Sequence, residues 1–142
     1  TFDLSVLVSD VAERFGRRTG RVFEVSSEPS PVTAQRTGVQ RAVSCLMENA
    51  TKFDATGGPI TVTVGAGEVS VADRGIGIPQ AELALVFDRF HRSDEARTMP
   101  GSGLGLSIVQ EVARRHGGDA FAANRDGGGA VVGFRLGAEP VE

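Results

Sequence analysis

The chain carries Gly101-Ser102-Gly103-Leu104-Gly105-Leu106-Ser107-Ile108-Val109, in which glycines at every second position run directly into an apolar helical pattern. Glycine has no Cβ, so backbone N–H groups at such positions can approach a ligand closely. A helix beginning at about Leu104 would add its unpaired N–H groups and the positive end of its dipole, which together bind phosphate. Alternate glycines before a helix also occur in flexible loops without a ligand, so this stretch alone leaves both interpretations open.

Composition is that of an ordinary globular domain and argues against several classes of protein. The 142 residues, 40% apolar and 23% charged, fit one domain with its own core. A net charge of −3 argues against a general nucleic-acid surface. The single cysteine, Cys45, excludes an internal disulfide, and two distant histidines, His91 and His116, argue against a structural zinc site. We expect no membrane span, because no apolar run reaches about eighteen residues.

Hydrophobic periodicity predicts a succession of helices and hairpins. The predicted elements are helices over residues 4–15, 35–53 and 104–116, a strand over 21–26, a hairpin of 60–64 with 69–72, a short helix from Pro79, and a closing hairpin of 119–124 with 130–136. Residues 87–100 lose the pattern and are expected to form a mobile loop. Hairpins in place of regular strand–helix alternation favour a two-layer α/β sandwich over a doubly wound sheet.

Cys45, Asn49 and Lys52 lie at positions i, i+4 and i+7 of the second predicted helix and share one face beside its apolar stripe. An amide at the edge of a buried face is costly unless something hydrogen-bonds to it. Mg²⁺ prefers oxygen ligands and keeps several waters, so one Asn oxygen together with phosphate oxygens would hold it. The alternative interpretation is an asparagine that hydrogen-bonds a neighbouring loop.

The predicted strand 69–72 runs into Asp73-Arg74-Gly75-Ile76-Gly77-Ile78-Pro79. A carboxylate at a strand end can accept a hydrogen bond from an exocyclic amine such as that of adenine. The glycines would let a flat ring lie against the backbone. A plain Asp-Gly turn is the alternative interpretation.

A fourth motif, Phe87-Asp88-Arg89-Phe90-His91-Arg92, combines two aromatic residues with two arginines. Arginine is planar and always charged, which suits a phosphate contact and stabilises charge on a phosphoryl group during transfer. Phe87 and Phe90 could instead belong to the core, and at least one of them is expected to lie there.

In this order and at these separations, the four motifs resemble the ATP-binding catalytic domain of sensor histidine kinases, in the GHKL superfamily with the gyrase, Hsp90 and MutL ATPases. Residues 46–53 resemble its N box, 73–79 its G1 box, 87–90 its F box and 101–106 its G2 box. The Gly-Leu-Gly-Leu-Ser-Ile form points to the kinase branch. The resemblance covers nearly the whole chain and implies one α+β domain over residues 1–142, a two-layer sandwich in which about three helices cover one face of a mixed, mostly antiparallel sheet.

The resemblance also implies a role for individual residues. Asn49 would ligate Mg²⁺, Lys52 would lie along the phosphates, and Arg92 would reach the γ-phosphate, which makes these three the implied catalytic residues. Asp73 would accept a hydrogen bond from the adenine amine. The other implied nucleotide contacts are Gly75, Gly77 and Ile78 around the purine, Arg89 and His91 near the nucleoside and phosphates, and Gly101, Ser102, Gly103, Leu104, Gly105 and Leu106 around the phosphates, with residues 93–100 as a lid.

The motif around Asn49 departs from the family pattern at Cys45. Many kinases of the family have an asparagine there, and the hydrolytic members have a glutamate that serves as general base. Cysteine is a poor Mg²⁺ ligand, and it cannot replace that glutamate. Glu48 points about 100° away from Asn49 around the helix. We therefore expect no vigorous ATP hydrolysis.

No predicted helix carries a His-Glu or His-Asp pair, so the histidine that accepts the phosphoryl group is expected on a separate dimerisation domain of the same kinase. The resemblance implies ATP and Mg²⁺ as ligands, a response regulator as partner, and a cytoplasmic position in an inner- or plasma-membrane sensor. The chain itself is expected to be monomeric, without nucleic-acid or membrane contact. Two alternatives stay open: a GHKL ATPase or anti-sigma-type serine kinase, and a non-catalytic nucleotide-binding regulatory module.

Overall fold

The computed structural model describes residues 2–53, 57–75, 105–125 and 128–137. Three helices and seven strands occur within these ranges. In chain order they are β1 (Phe2–Asp3), α1 (Leu4–Thr19), β2 (Phe23–Ser27), β3 (Pro31–Val32), α2 (Arg36–Phe53), β4 (Ile60–Gly65), β5 (Glu68–Ala72), α3 (Gly105–Arg115), β6 (Asp119–Asn124) and β7 (Ala130–Arg135). No helix in the described ranges is both long and apolar enough to cross a bilayer.

Five strands form one sheet in the order β2-β4-β5-β7-β6. The β2–β4 pair is parallel, and the other neighbouring pairs are antiparallel. The short strands β1 and β3 pair separately, with Phe2 opposite Val32. The two predicted hairpins are therefore confirmed, and the sheet is mixed and mostly antiparallel as expected.

The core lies between one face of this sheet and the three helices. Alternate residues of β4, namely Ile60, Val62 and Val64, are buried, whereas Thr63 on the opposite face is exposed. The predicted apolar stripe of α2 is buried throughout: it consists of Val39, Ala42, Val43, Leu46, Met47 and Ala50. Phe134 of β7 is the largest of the fully buried side chains. The two-layer α+β sandwich predicted from the sequence is confirmed.

Polar groups fix both ends of α1. Asp3 is the N-cap residue, and its Oδ1 accepts hydrogen bonds from the Ser5 N–H (3.0 Å), the Ser5 hydroxyl (2.7 Å) and the Ser30 N–H (3.0 Å). Gly20 closes the helix in the left-handed conformation at φ 75°, and its N–H donates to the Gly16 carbonyl. Ser30 is buried and accepts from the Gly67 N–H (2.8 Å), so this cap is tied to the β4–β5 turn.

The stability of the fold should depend on the ionisation of Asp3. Its pKa lies below the ordinary value of 3.8, first because the Ser30 N–H donates to the carboxylate and then because Ser5 does. A depressed folded-state pKa means that the charged carboxylate stabilises the fold above the ordinary value and that this contribution disappears as the pH falls through the lower, folded value. Urea unfolding should show Asp3→Asn less stable than wild type at pH 5–7, with the difference shrinking below about pH 4. A difference that is constant with pH would contradict the proposed role of the charge.

Two predicted elements lie outside the described residues. These are the short helix from Pro79 and the loop of residues 87–100. Among the described elements, α3 spans Gly105–Arg115 and is followed by Gly117, whose φ is 79°; the predicted start at about Leu104 lies outside the described residues. The Gly117 and Gly118 N–H groups donate to the carbonyls of Arg114 and Ala113 (3.2 and 2.9 Å), which is the hydrogen-bond pattern of a Schellman cap.

Candidate functional site

The end of α2 and the end of β5 lie at the same end of the sandwich. Strands β2 and β4 are parallel and α2 connects them, so α2 must return from the end of β2 to the start of β4. Thr61 near the start of β4 pairs with Ala72, the last residue of β5. Asn49 and Lys52 in the last turns of α2 therefore lie at the end of the sheet where Asp73 leaves β5.

The first turn of α3 faces this same end, because α3 runs antiparallel to α2. At the opposite end, the Gln35 N–H donates to Nε2 of His116 (3.1 Å), and a Cβ on Gly38 would lie 3.8 Å from Cγ2 of Val112. Counting seven residues from this contact toward the carboxyl end of α2, and seven toward the amino end of α3, brings Cys45 level with Gly105. Each step covers about 10 Å at 1.5 Å per residue. The amino-terminal end of α3, which is the positive end of its dipole, is thus directed to the end of the sandwich that holds Asn49.

His116 fixes this antiparallel arrangement. Its ring is buried, at 4% exposure. Nδ1 lies 2.8 Å from the Val112 carbonyl oxygen, and Nε2 accepts from the Gln35 N–H, so the proton belongs on Nδ1. The predicted helix end at His116 is therefore also a bridge between α2 and α3.

Asp73 is a buried carboxylate, with 3% of its surface exposed, at the end of β5. Its Oδ1 accepts hydrogen bonds from the Gly75 N–H (2.9 Å) and the Ala130 N–H (3.2 Å). Its own N–H donates to the Ala130 carbonyl (2.9 Å). The bond to Gly75 is the local turn that the sequence allowed as an alternative, and the bond to Ala130 fixes the carboxylate against β7 as well.

Two residues at the base of the β6–β7 hairpin contact the main-chain carbonyl group of Asp73. Nη1 of Arg125 donates to the Asp73 carbonyl oxygen (2.9 Å). Gly129 has φ 89°, and a Cβ there would collide with the same carbonyl oxygen. The Arg125 N–H donates to the Gly129 carbonyl (2.9 Å), which closes the base of the hairpin. Both the backbone and the carboxylate of Asp73 are therefore held by residues more than fifty positions away along the chain.

On α2 the side chains differ in exposure as the helical geometry predicts. Asn49 and Lys52 are half-buried, and Glu48 is exposed. Burial raises the pKa of the Cys45 thiol, with the nearby Glu48 charge adding to the shift and Arg41 opposing it. The thiol therefore stays protonated near neutral pH, which makes Cys45 unsuited to metal binding or to service as a base.

The described part of the chain contains no group of three or more His, Cys, Asp or Glu side chains that could hold a metal ion by itself. An Asn49 oxygen at this end of the sandwich fits Mg²⁺, a hard cation that is commonly held by one or two protein ligands plus phosphate oxygens. The donor set of the described residues is therefore compatible with a metal that arrives with its nucleotide.

Six of the predicted site residues are described, and the topology directs them to one end of the sandwich: Asn49, Lys52, Asp73, Gly75, Gly105 and Leu106. Leu106 also packs against the core. The predicted residues that lie outside the described ranges are Gly77, Ile78, Arg89, His91, Arg92, Gly101, Ser102, Gly103 and Leu104, with the predicted lid 93–100.

Sequence reasoning did not identify Arg125 and Gly129 as neighbours of Asp73. The run of residues 126–129, Asp-Gly-Gly-Gly, predicted only a turn. Three consecutive glycines are more than a hairpin turn requires, and they were the one available sign that a backbone approaches another backbone closely at this position.

Comparison with known proteins agrees with this arrangement. The family described as histidine kinase-, DNA gyrase B-, and HSP90-like ATPase matches residues 34–140. The signal transduction histidine-protein kinase/phosphatase MprB of Mycolicibacterium vanbaalenii is 40% identical over 142 residues, which cover 96% of this chain and 29% of that protein. MprB of Mycobacterium avium is 43% identical over 122 residues, covering 82% of this chain and 23% of that protein. The chain thus spans less than a third of the length of these curated relatives.

Solved structures of similar sequence share the fold. A mycobacterial sensor histidine kinase MprB structure superimposes with a TM-score of 0.87 at 36% identity, covering 99% of both chains. The nucleotide-free catalytic domain of histidine kinase ThkA superimposes with a TM-score of 0.82 at 28% identity, covering 98% of this chain and 96% of that one. The family match covers most of the chain, and the sandwich is shared from end to end. The chain belongs to the histidine kinase-, DNA gyrase B- and HSP90-like ATPase family.

Proposed function

We propose that this chain is the ATP-binding catalytic domain of a two-component sensor histidine kinase and donates the γ-phosphoryl group of ATP to a histidine on a separate dimerisation domain. The main support is the buried Asp73, fixed by main-chain amides at the end of the sandwich that also carries Asn49 and the start of α3. The identity of 40% to a protein named as a histidine-protein kinase/phosphatase supports the same assignment.

In this proposal Asp73 selects adenine. Its buried carboxylate would accept a hydrogen bond from the 6-amino group of adenine. A purine without that group should bind more weakly, because it would leave this buried acceptor without the hydrogen bond. Gly75, Gly77 and Ile78 are proposed to lie against the ring.

The phosphates are proposed to lie between α2 and the first turn of α3. Lys52 and the α3 N–H groups would neutralise their charge, with the glycine-rich residues 101–106 wrapping around them. Asn49 would hold Mg²⁺ through its amide oxygen, and the bound ion would neutralise charge that develops on the phosphate oxygens. His91, Arg89 and Arg92 are proposed to contact the nucleoside and phosphates.

The transfer step itself is a displacement at phosphorus. The imidazole nitrogen of the acceptor histidine forms a bond to the γ-phosphorus while the bond to the β,γ-bridging oxygen breaks, and ADP leaves with that oxygen. Positioning and charge neutralisation supply most of the rate in phosphoryl transfer. Arg92 is proposed to stabilise the charge of the transferred group.

The whole protein is proposed to be a membrane sensor that includes this domain in its cytoplasmic part, with a response regulator receiving the phosphoryl group. The match to this chain covers only 29% of the first relative described above. The remaining length of that protein is enough for sensor and acceptor domains.

The test is transfer of labelled phosphate in trans. The chain is mixed with a separate phosphoacceptor-helix domain of a histidine kinase and γ-labelled ATP·Mg²⁺, and label is followed on each protein. The expected result is label on the acceptor domain that is stable in base and labile in acid, as for phosphohistidine. Asp73→Asn should reduce it at least tenfold at sub-saturating ATP.

Two results would contradict the proposal. Free phosphate released at the same rate without an acceptor would indicate an ATPase, and tight ATP binding with neither product would indicate a regulatory nucleotide-binding module. Arg14→Met, at an exposed position on α1, is the matched control and should transfer as wild type.

A further inference from the structure

The β6–β7 hairpin is joined to the end of β5 by contacts that the proposed chemistry does not require. Arg125 reaches across to donate from its guanidinium to the Asp73 carbonyl oxygen (2.9 Å). Gly129 lies so close to that carbonyl that no side chain fits. Ala130 exchanges two hydrogen bonds with Asp73, one with its main chain and one with its carboxylate.

These contacts control two different properties of Asp73. The Ala130 N–H and the Gly75 N–H meet at Oδ1, which fixes the rotation of the carboxylate. The Arg125 bond and the Gly129 contact meet at the carbonyl oxygen, which fixes the backbone from which the carboxylate projects and where the chain leaves β5 toward Gly75. A change in the peptide orientation at Asp73 would therefore move the carboxylate relative to the sheet.

We propose that Arg125 is a positioning residue for nucleotide selection, because it holds the Asp73 peptide so that the carboxylate meets the 6-amino group of adenine; this inference rests on the proposed function of Asp73. Arg125 itself contacts main chain and not the purine-recognising carboxylate. Its charge strengthens the bond to the carbonyl, since hydrogen bonds from charged donors are shorter and stronger than neutral ones.

This role differs from general stabilisation in a measurable way. A residue that only holds the fold together would affect all nucleotides alike when it is replaced. A residue that aims the Asp73 carboxylate would affect nucleotides that carry the 6-amino group and leave those without it nearly unchanged. Purine riboside triphosphate, which has hydrogen in place of the amine, separates the two cases.

The experiment measures dissociation constants of ATP and of purine riboside triphosphate by calorimetry for the 142-residue chain and its variants. The selectivity ratio is the dissociation constant of the analogue divided by that of ATP. Wild type should show a ratio of about ten or more. Arg125→Met should weaken ATP binding about five- to tenfold and change analogue binding less than about twofold, so that the ratio falls. Arg125→Lys keeps the positive charge and can still donate a hydrogen bond, so its selectivity ratio should lie between those of Arg125→Met and wild type.

Two variants make the outcome unambiguous. Arg114→Met replaces an exposed arginine that bonds Asp119 and should leave the ratio unchanged. In Asp73→Asn the amide oxygen will take the place of Oδ1, because two N–H groups point there, and the amide NH₂ will oppose the purine amine, so the ratio should collapse.

Equal weakening of both nucleotides by Arg125→Met, or no change in either, would overturn the role of Arg125 while a collapse in Asp73→Asn would leave the proposed function intact. A wild-type ratio near one that Asp73→Asn does not alter would overturn both. The stoichiometry of analogue binding, from the same titrations, reports the folded fraction of each variant. A misfolded protein therefore cannot be mistaken for a loss of selectivity.

Discussion

Asn49→Ala should abolish the Mg²⁺ dependence of nucleotide binding and weaken ATP·Mg²⁺ binding about 100-fold or more. If Asn49 supplies the protein's oxygen ligand to the metal, its removal leaves the metal held only by phosphate and water. Removing a group that merely supports a metal ligand typically costs about 10- to 100-fold in metal affinity, and loss of the ligand itself should cost at least as much. The fold should tolerate the change, since position 49 is half-buried within α2 and alanine is the best helix former. Calorimetric titration of ATP with Mg²⁺ and with a chelator gives the two affinities whose ratio reports the metal's contribution.

Two neighbouring variants separate loss of the metal ligand from damage to the helix. Asn49→Asp keeps an oxygen ligand and should retain the Mg²⁺ dependence, whereas Glu48→Ala, at an exposed position one residue away, should behave as wild type. An affinity for ATP·Mg²⁺ that survives Asn49→Ala unchanged would show that the metal is held elsewhere.

The family motifs predicted roles for Asn49 and Asp73, because asparagine and aspartate at fixed positions in a helix and at a strand end are visible as residue types. They could not locate Arg125. Its partner is a main-chain carbonyl 52 positions earlier in the chain, and a main-chain group leaves no trace in residue identity. Side chains proposed to contact a ligand are thus easier to predict from sequence than a side chain proposed to position one of them.

The same distinction holds for the fold. Apolar periodicity was sufficient for α2 and β4, since every residue of the predicted stripe of α2 is buried. It gave no sign of β1 and β3, because two residues are too few to show a period. Pro31 of β3 pairs with Asp3, and the neighbouring Ser30 N–H donates to the Asp3 carboxylate, so this short sheet depends on contacts between distant residues.

The parallel pairing of β2 with β4 also had no local signal. It depends on α2 carrying the chain back across the core, and this same crossover brings Asn49 to the end of the sheet where Asp73 lies. The position of the candidate site is therefore a consequence of topology, and the residues within it are a consequence of local motif.

Gly118→Ala should lower the free energy of unfolding by about 3 kcal/mol or more and the melting temperature by roughly 10 °C, although it adds one methyl group. A Cβ at position 118 would collide with the Arg135 carbonyl oxygen and lie 2.6 Å from its carbonyl carbon. Neither backbone can retreat. The Gly118 N–H is bonded to the Ala113 carbonyl (2.9 Å), and the Gly137 N–H is bonded to the His116 carbonyl (2.8 Å), so the end of α3 and the end of β7 are fixed to each other.

Gly38→Ala is the matched control, because it adds the same methyl group where the helix has room for it. A Cβ there would lie 3.8 Å from Cγ2 of Val112, an ordinary contact, and an alanine within a helix is more stable than a glycine by about 0.5–1 kcal/mol. Urea unfolding of the two variants should therefore shift the midpoint in opposite directions. Equal stability of the two proteins would mean that the end of α3 and the end of β7 can move apart at little cost, and the rigid junction at Gly118 would be refuted.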